Sequence, residues 1–447
     1  MPPELRDRAP TPLADSLRRL DSVVSPFTGI VRGVEEVLAQ PDDIRLTNLC
    51  CETGHSGPLV GHGSTHLGAG SAPTRDAARA AAIAEAVERY SACDSDAAPV
   101  TVASAAELGT RAVAPRRYSL FSESQYRRTG FPYARFDTQT RIAWVEGITL
   151  ADGEPVWLPA QLVYLGWTPR PGEARIGQPT SNGLACHATF EEAVLSGLLE
   201  LLERDAFMIT WKARLSWPLL TWRPESPLGR FEARYLRPSG IHVAAVDLSA
   251  FWELPCVLGV ARSTAPGEAP FGVGASAAAT TERAVEKALD EAVRVRSWAR
   301  SLRERDPEGS SVPAPDDIHE FDEHIHHYAY DEHAAALDFL DGSRERRDVG
   351  TVPEIDGATV LEQIASICTR LAHRGTGAYA VDVTAPDVRA AGLRVAKVVA
   401  PELCPLDVDH AARHLGGRRL YEEPVRLGRR VSALDERDVN PDPHPFP

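Results

Sequence analysis

TSNGLACHATFEEAVLSGLLELLERDAF, residues 180–207, is a glycine- and serine-rich loop pattern running into a long helical one. At 100° per residue, Glu192, Ser196, Glu200 and Glu203 fall within an arc of roughly 80°. Val194, Leu195, Leu198, Leu201 and Leu202 take the opposite side, which reads as core. The plain reading of the glutamates is a solvated face. For Glu192 a capping box with Thr189, three residues earlier, is a second plain reading.

Recurrence argues for more. The same layout appears at 68–90 (GAGSAPTRDAARAAAIAEAVERY) and at 272–296 (GVGASAAATTERAVEKALDEAVRVR). The first helix spells Glu85-x-x-Glu88-Arg89 and the middle one Glu200-x-x-Glu203-Arg204; in the third, Lys287 and Glu291 stack one turn apart. Carboxylates gathered from several helices repel one another unless cations neutralise them. Mg²⁺ bridging glutamates to polyphosphate oxygens is the common solution, with arginines taking the remaining phosphate charge. No Walker A sequence occurs, and GHGSTH at 61–66 lacks the third glycine of a dinucleotide fingerprint. The layout predicts one mixed α/β domain with its site where the helices converge.

Working outward, residues 1–25 predict an N-terminal arm and 26–447 a single domain. Residues 141–165 predict a β-hairpin, as do IHVAAVDLS (241–249) with LPCVLGVA (254–261). Residues 301–317 predict a solvated loop and 435–447 a proline-rich tail; AYAVDVT (378–384) and LRVAKVVA (393–400) predict strands. The chain has 447 residues, a net charge of −15 and 43% hydrophobic residues, an ordinary globular composition. The acidity argues against nucleic-acid binding. The absence of any apolar run of about 18 residues argues against a membrane span, and with no signal-peptide pattern a cytoplasmic location is expected. Seven scattered cysteines without a C-x-x-C predict neither a disulfide framework nor structural zinc. His319, His324, His326, His327 and His333 match no tetrahedral zinc spacing, and Cys186 beside His187 predicts a small buried cysteine rather than a catalytic pair.

SNGLACHATFEEA (181–193), followed by Ser196, Glu200, Glu203, Arg204, Asp205, Ala206 and Phe207, resembles the YcaO family. Weaker echoes are WVEG (144–147), VDVTAPD (381–387) and GLRV (392–395), so the likeness runs from about residue 25 to the end. The resemblance implies a large YcaO-type α/β domain that binds ATP through Mg²⁺. It implies Glu85, Glu88, Glu192, Glu203 and Glu291 as metal ligands. Arg89, Ser181, Asn182, Ser196, Glu200, Arg204 and Lys287 are the implied nucleotide contacts. Ala69, Ala81 and the Lys287/Arg294 region depart from the family's usual Lys, Ser and Gln.

The chain ends Pro441-Asp-Pro-His-Pro-Phe-Pro447, which looks like the tail of azoline-forming cyclodehydratases. The implied catalytic groups are Arg204 and the α-carboxylate of Pro447. The implied reaction turns Cys, Ser or Thr of a ribosomal precursor peptide into thiazoline or (methyl)oxazoline rings. The side chain attacks the preceding amide, whose oxygen is phosphorylated and leaves as phosphate. The resemblance further implies a separate ThiF-like leader-binding partner, a flavin-dependent azoline dehydrogenase and a homodimer. The alternatives are a thioamide- or amidine-forming YcaO enzyme, or a degenerate scaffold subunit.

Overall fold

The first and third glycine- and serine-rich stretches are β-strands rather than loops, with glycines there for packing, whereas 180–183 is the loop expected and the strand begins at Leu184. The computed structural model describes residues 5–40, 43–55, 66–95, 98–263 and 268–446. Its strands are β1 (Val31–Glu36), β2 (Thr47–Thr53), β3 (Leu67–Ala72), β4 (Val100–Ala103), β5 (Ile142–Thr149), β6 (Pro155–Pro159) and β7 (Leu184–His187). They continue with β8 (Leu219–Thr221), β9 (His242–Asp247), β10 (Cys256–Arg262), β11 (Phe271–Ala277), β12 (Arg346–Asp348), β13 (Tyr379–Asp382) and β14 (Arg394–Val399). The longer helices are α1 (Leu13–Asp21), α2 (Arg75–Cys93), α3 (Phe190–Lys212), α4 (Thr281–Arg305), α5 (Val360–His373) and α6 (Arg418–Arg426).

A Cβ on Gly68 would lie 2.2 Å from the Ala82 carbonyl oxygen, and one on Gly70 2.1 Å from that of Ala78. Gly272 and Gly274 meet the backbone of Ala292 in α4 in the same way, at 2.4 and 2.5 Å. Each helix therefore lies directly on the strand before it, and only glycine permits that approach.

The described strands form three sheets, ordered β1-β2-β3, β11-β10-β9-β8-β12 and β4-β5-β13-β14-β7, with β6 also paired to β5. β3, β7 and β11 are the terminal strands of their sheets, and each leads into one of the glutamate-bearing helices. Pairing is antiparallel except between β8 and β12. Helix α3 packs on β14 and β7 on one side and on β11 and β10 on the other, joining two sheets. Its Val194, Leu198 and Leu202 are buried in the largest core, as the leucine stripe predicts. The same core buries Lys212, whose Nζ lies 2.9 Å from Asp407, and Asp205, held at 2.7 Å by Arg419 of α6. Buried pairs of this kind are costly to break from one side, so they fix the C-terminal segment against α3.

The predicted hairpins at 142–159 and 242–262 are present, although residues 160–162 form a 3₁₀ turn where strand was expected. The loop expected at 301–317 begins later, because α4 continues to Arg305. The N-terminal arm contains α1, whose Arg19 donates to the carbonyls of Ala188 and Gly392 at 2.8 and 2.9 Å. Among the described residues no helix is long and apolar enough to cross a membrane.

Candidate functional site

Three strand–helix units share one register. Thr74, Thr189 and Thr280 each cap their helix, accepting from the backbone N–H three residues on. Eleven residues after each cap stands a glutamate: Glu85, Glu200 and Glu291. Each accepts from a backbone N–H of its own strand segment, namely Ala69 at 2.8 Å, Gly183 at 3.3 Å and Ala275 at 2.8 Å. The helices thereby turn one face each into a shared cavity of about 820 Å³, large enough for a nucleotide-sized ligand.

Its lining includes all five glutamates expected as metal ligands, together with Ser196, Glu200, Arg204 and Lys287. Cys186 and His187 also reach it. Cys186 is otherwise buried in the strand, and the His187 ring nitrogen Nε2 lies 2.8 Å from Ser196 Oγ.

The other expected contacts are placed differently. Arg89 lies outside the lining and donates to Glu85 at 2.6 Å and to the Leu67 carbonyl at 3.0 Å. Ser181 and Asn182 also lie outside it; the Asn182 carbonyl accepts from Lys397 Nζ at 2.7 Å. Glu192 lines the cavity but accepts from Thr11 N, Thr11 Oγ1 and Thr189 Oγ1 at 2.6, 3.0 and 2.8 Å. Burial would raise its pKa, but these hydrogen bonds bring it below the usual carboxylate value. Pro447 lies outside the described residues.

Glu88, Glu200 and Glu203 behave as carboxyls short of cations. Burial, and then the neighbouring Glu200 and Glu85, push Glu88 well above the usual range. Burial raises Glu203 to about 8; Arg204 pulls it back, while Glu291 and Glu200 add to it. Burial lowers Lys397 to about 8, although it faces Glu200 and Glu88. Hard divalent cations displace the protons that such crowded oxygen donors hold for want of positive charge. A buried donor is spare too: Arg204 Nε makes no hydrogen bond among the described residues, while Nη1 lies 3.1 Å from Glu203. The residues present therefore fit a magnesium-bound polyanion.

The C-terminal tail packs beside this site, against Arg204. Its backbone carbonyls at Asn440, Pro441, Asp442, Pro443 and His444 accept from Arg413, His410, Trp211, Tyr328 and His324. His324 and His410 are thus part of the tail's cradle. Phe446 is fully buried, 4.8 Å from the Phe207 ring, and the Arg204 guanidinium stacks on it at 4.1 Å.

Residues 69–404 match a family described as YcaO cyclodehydratase, ATP- and Mg²⁺-binding. The chain belongs to the YcaO family. An uncharacterised protein of Methanothermobacter thermautotrophicus is 29% identical over 251 residues, covering 54% of this chain and 60% of the relative. A heterocyclase solved in complex with substrate and cofactor superposes with a TM-score of 0.80 at 24% identity, over 100% of this chain and 59% of that one. The YcaO protein of Methanopyrus kandleri, bound with AMPPCP and Mg²⁺, gives a TM-score of 0.61 at 20% identity, over 90% of this chain and 94% of that one. These likenesses show a YcaO fold, and the chain spans about 60% of the length of the first two. Sequence reading missed Arg283, Glu286 and Asp290, which line the cavity, and did not place Arg294 in it. The threonine-to-glutamate spacing of eleven is the signal that finds that helix face.

Proposed function

We propose that this YcaO protein is an ATP-dependent cyclodehydratase forming azoline rings from Cys, Ser or Thr of a ribosomal precursor peptide, presented by a ThiF-like partner. One observation carries the reading: Phe446 of the proline-rich tail packs under the guanidinium of Arg204, an arginine that lines the cavity where the glutamates of three helices meet. Bound ATP and Mg²⁺ would supply the phosphoryl group that makes a peptide amide oxygen a competent leaving group. Glu85, Glu88, Glu203 and Glu291, with Glu192 once Thr11 yields it, would hold the metal, and Ser196, Glu200, Lys287 and Arg204 the nucleotide. The chain's own task is then positioning and charge neutralisation, which account for most of phosphoryl-transfer catalysis. Arg204 is central to both, since its guanidinium bridges the glutamates and the tail. The Pro447 α-carboxylate would act at the reacting amide as a base or orienting group.

The test is intact-mass analysis of a candidate precursor incubated with this protein, its partner, ATP and Mg²⁺. Loss of one water mass per modified residue is expected. Unchanged peptide with phosphate released, or exchange of oxygen for sulfur when sulfide is supplied, would contradict ring formation.

A further inference from the structure

The register shared by the three units exposes a substitution that neither the family likeness nor the site description assigns. Three residues beyond each aligned glutamate, α2 carries Glu88 and α3 carries Glu203, but α4 carries Arg294. One position further, α2 and α3 have Arg89 and Arg204, while α4 has the buried Val295. In α4 the guanidinium has moved by one residue, about 100° around the helix, to the position that Glu88 and Glu203 hold on the other two. Arg283 and Lys287 line the cavity earlier on the same helix, spaced so that they share that face with Arg294.

The surroundings of Arg294 suit a ligand contact better than a closed ion pair. Its Nε lies 3.4 Å from Asp290 and makes no hydrogen bond among the described residues. Asp290 is itself anchored by Ser71 Oγ of β3 at 2.7 Å, so it can orient the arginine without consuming its donors. Burial opposes its charge, but Asp290, Glu291 and Glu85 hold it firmly cationic.

We infer that Arg294 binds the polyphosphate of the nucleotide directly, at the position where the other two helices present a second metal-binding carboxylate. The α4 wall of the cavity then pairs the carboxylate of Glu291 with a fixed guanidinium, where each of the other two walls presents a pair of carboxylates. A fixed guanidinium offers planar, paired donors to phosphate oxygens and does not depend on metal concentration. The inference rests on the nucleotide reading of this cavity.

Competition binding of AMP, ADP and ATP against a fluorescent ATP analogue, with Mg²⁺ present, tests it in the full chain. Arg294→Gln should weaken ATP binding by about 10- to 100-fold, the loss of one charged hydrogen-bonded contact. The loss should grow from AMP to ATP, and Arg294→Lys should recover much of it. The unfolding midpoint of each variant reports whether the fold survives. An equal loss for all three nucleotides, or none, would overturn a phosphate contact and leave Arg294 as Asp290's structural partner. Wild-type protein that binds no nucleotide would overturn the nucleotide reading and this inference with it.

Discussion

Glu203→Gln is expected to reduce ATP turnover by about 100-fold or more without lowering the unfolding midpoint. The two halves of that expectation come from one fact. Burial, reinforced by Glu291 and Glu200, raises the Glu203 carboxyl to about 8, so without metal it is protonated at neutral pH. A neutral glutamine then replaces a neutral acid of the same shape and costs little. Metal binding, however, needs the carboxylate, which glutamine cannot provide.

The folded protein holds a proton on Glu203 that the unfolded chain releases near 4.5, so this group's contribution to stability falls as pH rises from there through about 8. Nucleotide binding with Mg²⁺ must displace that proton, so affinity should rise between about pH 6 and about pH 8 and flatten in the variant. Phosphate release and calorimetric binding check both. Unchanged turnover in Glu203→Gln would remove this residue from the metal site.

Deletion of Pro447 alone should cut ring formation by about 100-fold while sparing nucleotide binding and stability. Deleting Pro445–Pro447 is a less clean experiment, because it also removes Phe446. That ring is fully buried against Phe207 and under Arg204, and truncating a phenylalanine so placed costs about 3–5 kcal/mol. Peptide mass, nucleotide binding and the unfolding midpoint, compared across both deletions, separate a chemical tail from a structural one. If the Pro447 deletion forms rings at the parent rate, the terminal carboxylate has no part in the reaction.

The sequence made the glutamate stripes legible because helical periodicity survives in any context: Glu85 and Glu88, Glu200 and Glu203, and Glu291 all face one cavity. The strands before them were not legible, because Gly68, Gly70, Gly272 and Gly274 carry the composition of a loop. Their reason for being glycine, a helix backbone within about 2.5 Å of a Cβ, is tertiary. Arg89 shows the converse limit. It sits beside the right glutamates in sequence, yet its own turn and the Leu67 carbonyl satisfy it outside the cavity. The histidines that bracket the tail are also opaque in sequence, since their partners are backbone carbonyls some 30 to 120 residues away.

The most direct test of the central claim is crystallographic. Crystals of the protein with a non-hydrolysable ATP analogue and Mn²⁺, located by its anomalous signal, would place metal and nucleotide independently. Manganese is expected among the carboxylates of Glu85, Glu88, Glu203 and Glu291, with the triphosphate running past Arg204 and Arg294. Manganese on none of these glutamates, or a nucleotide bound outside their cavity, would contradict it.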